Sequence, residues 1–354
     1  MRTANHLFSL YGLYQEVRGQ LQGRPYLFLD EIQSVEGWEG FVRFIVDRKE
    51  AYVTVSGSTA RLNQAVRRSL AGRHLTVEVF PLSFREFLRF RNVNVFTELD
   101  LVAREAEIKA LFDEYLRFGG FPLVALNPGN RERILAQLYD DIVHRDAVLE
   151  CGVRNVGEIG DLALFYVSNV GNRVGFRRLS RSMGIPLRNL QRYTECLTNA
   201  YLVFFMKAIS PCLSEMVKAE RKVYCVDNGI FNVVGHRLNE NLGSLLENLV
   251  FVELMRRHGL GNVFYYRGRR EVDFVVKDRN EIREILQVTY SLGDEREIEG
   301  IREFLRIRRV RASMITYDEK GEVRVEGQVV KVMKAWKWLL GWTRPDSWIS
   351  NRAL

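Results

Sequence analysis

The chain has 354 residues, a net charge of +8 and a sequence pI of about 9.3. Its length allows two or three domains, and a 47% hydrophobic fraction is ordinary for a protein with a buried core. No apolar run approaches the ~20 residues of a membrane helix, and residues 1–6 lack the apolar region of a signal peptide. We therefore expect a cytoplasmic protein without a membrane partner. The basic excess is compatible with nucleic acid and also with an ordinary solvated surface.

Helical spacing of apolar residues over 7–17 predicts a first helix. After it, four apolar residues at 26–29 run directly into Asp30 and Glu31. Such a run predicts a strand that is buried on both faces. Adjacent carboxylates at a strand end are typical of nucleoside triphosphatases, in which the first holds hydrated Mg²⁺ and the second orients or deprotonates the attacking water. The stretch has the form of a Walker B strand, but no G-x-x-x-x-G-K-[ST] phosphate loop occurs in these 354 residues.

The next elements predict a parallel α/β sheet. A helix over 37–45 is followed by strands over 51–55 and 75–80, with helical stretches at 60–70 and 85–90 around the second of them. Ser56 and Ser58 follow the first of these strands and suit a sensor of the terminal phosphate. An alternative for Ser58 is the N-cap of the helix that begins at residue 60.

Several motifs together resemble those of a large prokaryotic, archaeal-type family of predicted ATPases. These ATPases belong to the AAA superfamily and carry a restriction-endonuclease-like domain at the C-terminal end. The motifs lie at residues 27–33, 38, 55–58, 70–73, 80–87, 115–122, 141–146, 222–229 and 245–273.

The resemblance implies ATP and Mg²⁺ as cofactors. It implies Asp30 as the Mg²⁺ carboxylate, Glu31 as the catalytic base, and Ser56 or Ser58 as the γ-phosphate sensor. Arg73 could reach the phosphate of a neighbouring subunit in a homo-oligomer, and an ordinary salt bridge is the alternative.

Family members place a strand and a phosphate loop before the first helix found here. In their strand order, the strand preceding the phosphate loop lies between the strands at Val53 and Val79. We therefore expect this chain to be one part of a split or misannotated ATPase. An upstream-encoded Walker A segment would supply the missing strand, and the chain alone would hydrolyse little ATP. The alternative is direct pairing of the two strands, and an exposed edge would favour aggregation.

The remaining chain divides into a helical lid over 96–155, a winged helix over 156–226 and a restriction-endonuclease-like domain over 227–354, after a partial AAA core over 1–95. In the winged helix, Arg188 and Arg192 fall opposite the apolar face of a predicted helix over 187–200. That position suits contact with DNA phosphates and base edges. The alternative is a winged helix that serves only to pack domains together.

Glu247 on a helix, Asp273 on a strand and Gln287 on the next strand have the order of a PD-(D/E)xK nuclease site that binds Mg²⁺. Gln287 replaces the second acidic residue, and Thr289 stands where the lysine belongs. Lys277 could substitute for that lysine. Because threonine supplies no positive charge, we expect weak or absent nuclease activity.

The sequence thus predicts an α/β protein with a partial AAA/P-loop-type parallel sheet, a helical lid, a winged helix and a PD-(D/E)xK-like α/β domain. The predicted function is an ATPase that binds ATP and Mg²⁺ in its intact form, associates with DNA and is inactive alone. The alternatives are a non-catalytic DNA-binding or regulatory module and a weak Mg²⁺-dependent DNase.

Overall fold

The computed structural model describes residues 3–19, 23–57, 62, 66, 69–148, 152, 155–210, 212–236, 241–279, 281–293 and 295–341. The protein is an α/β protein, as predicted. It has a small N-terminal sheet and a large mixed sheet, and most of its helices pack against the large one.

The N-terminal unit consists of α1 (Ala4–Arg18), β1 (Tyr26–Leu29), α2 (Trp38–Asp47) and β2 (Tyr52–Val55). β1 and β2 pair in parallel, with Leu29 opposite Val55. The apolar stripe of α2 packs on this pair, so the unit has a hydrophobic core separate from the rest of the chain. This core explains why the predicted strand–helix–strand order forms here.

The two-stranded sheet is covered on one face only. Leu27 and Val53 pack against the core, whereas Tyr26 is 69% exposed and Phe28 is 75% exposed. The rings of Tyr26 and Tyr52 stack on the uncovered face, with centroids 4.9 Å apart. The expectation that β1 is buried on both faces is therefore wrong, because the described residues place no helix on that side.

The third strand predicted over 75–80 does not form. These residues are irregular, and Leu75, Val77 and Val79 are 97%, 82% and 91% exposed. A strand needs a neighbour to pair with its backbone, and no described strand lies beside this segment. Direct pairing with β2 is not seen either, since β2 pairs with β1 alone.

A helical region follows. Its helices share one large hydrophobic core with the regions that come after them in the chain. Ser83 and Glu86 form a reciprocal capping box that starts the first of these helices. The helices are α3 (Phe84–Phe90), α4 (Glu98–Ala103), α5 (Glu105–Phe118), α6 (Pro122–Leu126) and α7 (Arg131–Asp140), and a π-helix (Asp141–Ala147) extends the last of them.

The next region alternates helices and strands. Its elements are α8 (Val156–Ser168), β3 (Arg173–Val174), α9 (Phe176–Met183), α10 (Leu187–Asn199), β4 (Val203–Ile209), α11 (Leu213–Lys218) and β5 (Arg221–Cys225). The C-terminal part contains α12 (Asn228–Val234), α13 (Leu242–His258), β6 (Val263–Arg267), β7 (Glu271–Asp278), β8 (Glu281–Thr289), α14 (Glu295–Ile307), β9 (Arg311–Thr316), β10 (Gly321–Val325), β11 (Gln328–Lys334) and α15 (Ala335–Leu339).

Nine strands form one continuous sheet in the order β10-β11-β9-β8-β7-β6-β4-β5-β3. The join is the parallel pairing of β4 with β6, in which Lys207 lies opposite Phe264. The sequence predicts a domain boundary between residues 226 and 227. Strands from both sides of this boundary are hydrogen-bonded in the same sheet. One face of the sheet packs on the largest core and the other on a smaller core beneath α14.

Buried Asp227 links two parts of this core. Its carboxylate accepts the backbone N–H of Gly120 at 2.7 Å and that of Gly229 at 2.8 Å. Gly229 is required there, since an added Cβ would lie 2.3 Å from the carbonyl oxygen of Phe118. Burial raises the pKa of Asp227 to about 6, although the backbone donors oppose the shift.

Stability is therefore expected to depend on the ionisation of Asp227. A pKa raised in the folded state favours the protonated form, so its contribution is complete below about pH 4 and is lost as the pH rises through about 6. The loss amounts to about 3 kcal/mol. Thermal melts between pH 4 and 7 should show this slope flattened in Asp227→Asn and unchanged in Asp161→Asn, which alters an exposed carboxylate. Equal slopes in the two variants would contradict the assignment.

No helix among the described residues combines the length and apolarity needed to cross a membrane. Among the described residues, Cys212 and Cys225 carry free thiols.

Candidate functional site

The carboxyl ends of β1 and β2 bring two predicted site residues together. Asp30 follows β1 and Ser56 follows β2, because parallel strands end at the same edge of a sheet. The Ser56 hydroxyl donates to Oδ1 of Asp30. The backbone N–H of Ser56 also donates to the carbonyl of Leu29 at 2.9 Å, which fixes the end of the pair. Both side chains are exposed, so a ligand could reach them.

The backbone of Glu31, the residue after Asp30, has an unusual conformation. It adopts a left-handed conformation with φ of 49° and begins a short 3₁₀ turn. Gln33 donates its side-chain amide to Oε2 of Glu31 at 2.6 Å. A non-glycine residue in this conformation carries backbone strain of the kind found at functional sites.

The oxygen atoms at this edge suit a hard cation. The Asp30 carboxylate and the Ser56 hydroxyl are in contact, and oxygen ligands are those that Mg²⁺ prefers. Oε1 of Gln33 is buried and has no hydrogen-bond partner among the described residues. The residues therefore fit part of a Mg²⁺ shell, and the phosphates of a nucleotide would supply the remainder.

Two further predicted residues of this site have different positions. Nε of Arg73 lies 2.7 Å from Oδ1 of Asp47 on α2. Arg73 thus forms the ordinary salt bridge that was the alternative interpretation, and both partners remain about two-fifths exposed (44% and 39%). Ser58 lies outside the described residues.

A second group of predicted residues meets around Lys222 on β5. The Lys222 ammonium lies 2.9 Å from Glu247, 2.6 Å from Glu271 and 3.2 Å from Asp273. The contacts with Glu247 and Asp273 are hydrogen bonds, and Glu271 forms a close ion pair with the same ammonium. The Lys222 side chain is only 4% exposed. We call these four residues the Lys222 cluster.

Neighbouring groups complete the Lys222 cluster. Tyr224 donates its hydroxyl to Glu247 at 2.7 Å. Gln287 accepts the backbone N–H of Asp273 through Oε1 at 3.2 Å, and its amide donates to Glu297. The Gln287 oxygen that could have faced a metal is thus engaged by the backbone of β7. Predicted residues Glu247, Asp273 and Gln287 are therefore brought together, but around an ammonium.

The electrostatics of the Lys222 cluster follow from its burial. Burial alone would lower the pKa of Lys222, but the carboxylates, Glu247 first, raise it well above its ordinary value. Burial raises the pKa of Asp273, against the opposing effect of Lys222. Lys222 therefore stays charged and neutralises part of the cluster. Among the described residues, no group of three or more His, Cys, Asp or Glu side chains is arranged to hold a metal ion.

The two residues considered for the lysine position lie elsewhere. Thr289 ends β8, and its hydroxyl donates to the carbonyl of Ser291 at 2.9 Å. The ammonium of Lys277 lies 5.6 Å from the centre of the Phe264 ring, in the smaller core. Sequence reasoning missed Lys222 and Glu271. The available signal was Lys222 directly before the apolar residues 223–225 of a predicted buried stretch, since a lysine within a buried strand needs an anionic partner.

The arginines predicted to contact nucleic acid lie on one face of α10. Arg188 and Arg192 are exposed, as is Glu195, whereas Leu190 and Tyr193 are buried. The basic face predicted from the spacing therefore points to solvent. Glu195 lowers its positive charge.

Comparison with known protein families divides the chain into three parts. Residues 2–88 match an AAA domain, residues 109–241 match a domain of unknown function (DUF8612), and residues 242–338 match another domain of unknown function (DUF4143). No solved structure shows a significant match to the chain. The AAA match covers the unit that contains Asp30 and Ser56, and the DUF4143 match covers Glu247, Asp273 and Gln287.

Similar full-length proteins occur in an archaeon and a bacterium. The chain is 31% identical over 334 residues to the Uncharacterized protein MJ1544 of Methanocaldococcus jannaschii, covering 89% of this chain and 74% of that protein. It is 30% identical over 289 residues to an Uncharacterized protein of Haemophilus influenzae, covering 80% of this chain and 70% of that protein. The chain thus belongs to the same family as these two proteins, with an AAA domain at its N-terminal end and a DUF4143 domain at its C-terminal end.

Proposed function

We propose that this protein is an AAA-type ATPase that binds ATP and Mg²⁺ at the carboxyl ends of β1 and β2. The contact between Ser56 and Asp30 is the observation that supports this most, because it joins a carboxylate and a hydroxyl where parallel strands end. The AAA match over residues 2–88 supports the same conclusion. In this proposal Asp30 holds the Mg²⁺ shell, and Ser56 senses the terminal phosphate.

Glu31 is the proposed general base. It directly follows Asp30, it is exposed, and its carboxylate accepts a hydrogen bond from Gln33, so in this proposal it orients the attacking water. Arg73, although paired with Asp47, is sufficiently exposed to exchange that partner for the phosphate of a second copy. In this proposal the phosphate loop comes from a segment other than these 354 residues, which contain no G-x-x-x-x-G-K-[ST] motif.

The chain is therefore expected to show little ATP turnover alone and substantial turnover when co-expressed with a segment that carries the phosphate loop. In that complete form, Glu31→Gln should lower kcat by roughly 10²–10⁴-fold while ATP still binds, because a positioned base contributes on that scale. Glu36→Gln, an exposed change in the same loop, is the control. Robust turnover by the Glu31→Gln variant, or by the chain alone, would refute this proposal.

We propose DNA association without cleavage as a second function, and the position of Lys222 favours the absence of cleavage. The ammonium fills the space between Glu247, Glu271 and Asp273, in which a nuclease would need a divalent cation. The helix–strand–helix–helix–strand–helix–strand order from α8 to β5, with β5 between β4 and β3, resembles a winged helix that has a short extra helix, α11, before its last strand. Arg188 and Arg192 are its proposed DNA contacts.

Incubation with Mg²⁺ or Mn²⁺ is expected to leave linear and supercoiled DNA uncut. The reason is that the Lys222 ammonium occupies the space between the three carboxylates, in which the metal would have to bind. Gel assays with the wild type and with Asp273→Asn should look alike. Cleavage by the wild type that disappears in Asp273→Asn would overturn the non-cleaving assignment.

A further inference from the structure

A groove opens beside the edge strand of the large sheet, between the end of α8, β3 and α9. Its volume is about 470 Å³, which is within the usual range for a small-ligand site. Polar and charged side chains dominate its lining. The lining residues are Phe165, Asn169, Asn172, Arg173, Val174, Arg178 and Glu220.

The two arginines of the groove retain donor capacity. Nε of Arg173 is 3.7 Å from Glu271, and Nη2 of Arg178 is 3.7 Å from Glu220. Both separations exceed a good hydrogen bond, and neither guanidinium donates a hydrogen bond to another described residue. The side chains of Arg173 and Arg178 are 41% and 73% exposed. Two guanidinium groups are thus available to an anion that enters the groove.

The groove adjoins the Lys222 cluster through the turn before β3. Gly171 approaches Glu247 so closely that an added Cβ would lie 3.2 Å from Oε2. Two residues later, Arg173 reaches Glu271 of the same cluster. Arg173 thus lies between the Lys222 cluster and the groove, close to a carboxylate of the cluster and still open to a ligand in the groove.

We propose that this groove binds the phosphodiester backbone of a nucleic-acid strand, with Arg173 and Arg178 as its phosphate contacts. Planar guanidinium groups match phosphate oxygens with paired hydrogen bonds. The Asn172 side chain is exposed at the rim and can donate to a second oxygen. The proposal deepens the DNA association proposed above and rests on it for the choice of phosphate ligand. The groove lies apart from Arg188 and Arg192 of α10.

Fluorescence anisotropy of the full chain with a labelled 20-nucleotide single strand tests the proposal. The double variant Arg173→Gln/Arg178→Gln is expected to weaken binding roughly tenfold or more and to reduce the slope of log K against log salt by about 2. Arg283→Gln/Arg306→Gln is the matched control, since it removes two arginines of similar exposure elsewhere. Glu220→Gln is expected to tighten binding, because it removes the single carboxylate of the groove lining.

Three further results separate the possible failures. The Arg173→Gln/Arg178→Gln variant could bind with the affinity and salt slope of the wild type, while Arg188→Gln/Arg192→Gln loses affinity. That result would overturn the assignment of the groove and retain DNA association through α10. Competition by dTMP at concentrations as low as those of the oligonucleotide would overturn the backbone assignment in favour of a mononucleotide site. An absence of wild-type binding both to this single strand and to a duplex of the same sequence would overturn both proposals. Thermal melts of each variant check that it is folded.

Discussion

Replacing Lys222 with methionine is expected to lower the free energy of unfolding by about 3–5 kcal/mol. Methionine keeps the length of the apolar stem but removes the one cation among the described residues that contacts Glu247, Glu271 and Asp273 together. The remaining carboxylates would repel one another in a site where water screens them poorly. Removing one partner of a buried ionic group leaves its counter-charges without compensation, and this cost exceeds the net value of the intact group.

Chemical denaturation monitored by circular dichroism measures this loss. Lys207→Met is the matched control, because Lys207 lies on neighbouring β4 with an exposed side chain. We expect the control to stay within about 0.5 kcal/mol of the wild type. An equal and small effect of both substitutions would show that the Lys222 cluster contributes little to stability.

Divalent cations provide a second measurement on the same variant. With the ammonium gone, the three carboxylates become a site to which Mg²⁺ or Ca²⁺ can bind, and ligand binding to the folded state raises its stability. The Lys222→Met variant should therefore regain part of its stability at millimolar Ca²⁺, whereas the wild type should not change. Equal stabilisation of both proteins would indicate that the wild-type cluster already accepts a metal beside Lys222.

The elements governed by local pattern could be predicted from the sequence. The helix predicted over 7–17 is α1, and the apolar run ending at Asp30 and Glu31 is β1. Helix capping and hydrophobic spacing depend on residues that are close together in the sequence. Such elements can therefore be recognised from a short segment. The placement of Asp30 beside Ser56 followed from parallel pairing alone.

The features that depend on distant partners could not be predicted in the same way. Lys222 meets Glu247 and Asp273 only because β5 joins the sheet through β4 and β6, and no short-range signal specifies that join. The segment 75–80 carries the composition of a strand, yet its structure depends on a neighbour that the described residues do not provide. The composition of a segment indicates whether it can form a strand, and the strand forms only where a neighbouring strand pairs with its backbone.

Among the described strands, β2 pairs only with β1, so its other edge has unpaired backbone groups that hydrogen exchange can detect. In a parallel pair, alternate residues direct their backbone groups to the same side. The N–H groups of Tyr52 and Ser56 donate to β1, at 2.8 and 2.9 Å. Those of Val53 and Val55 therefore point to the opposite edge. The amides of Val53, Val55 and residues 76–80 should exchange at nearly unprotected rates, and those of Tyr52 and Ser56 more slowly.

Addition of the segment with the phosphate loop should slow amide exchange at the unpaired edge of β2 and in residues 76–80 together. If its strand inserts between β2 and residues 75–80, the amides of Val53 and Val55 and alternate amides of 76–80 should slow by orders of magnitude in one step. Amides of β8, which is already paired on both sides, are the internal control. Exchange resolved by mass spectrometry after short peptide fragmentation measures this pattern. Slow exchange of residues 76–80 in the chain alone would contradict the prediction, and protection of β2 alone would place the added strand outside the predicted gap.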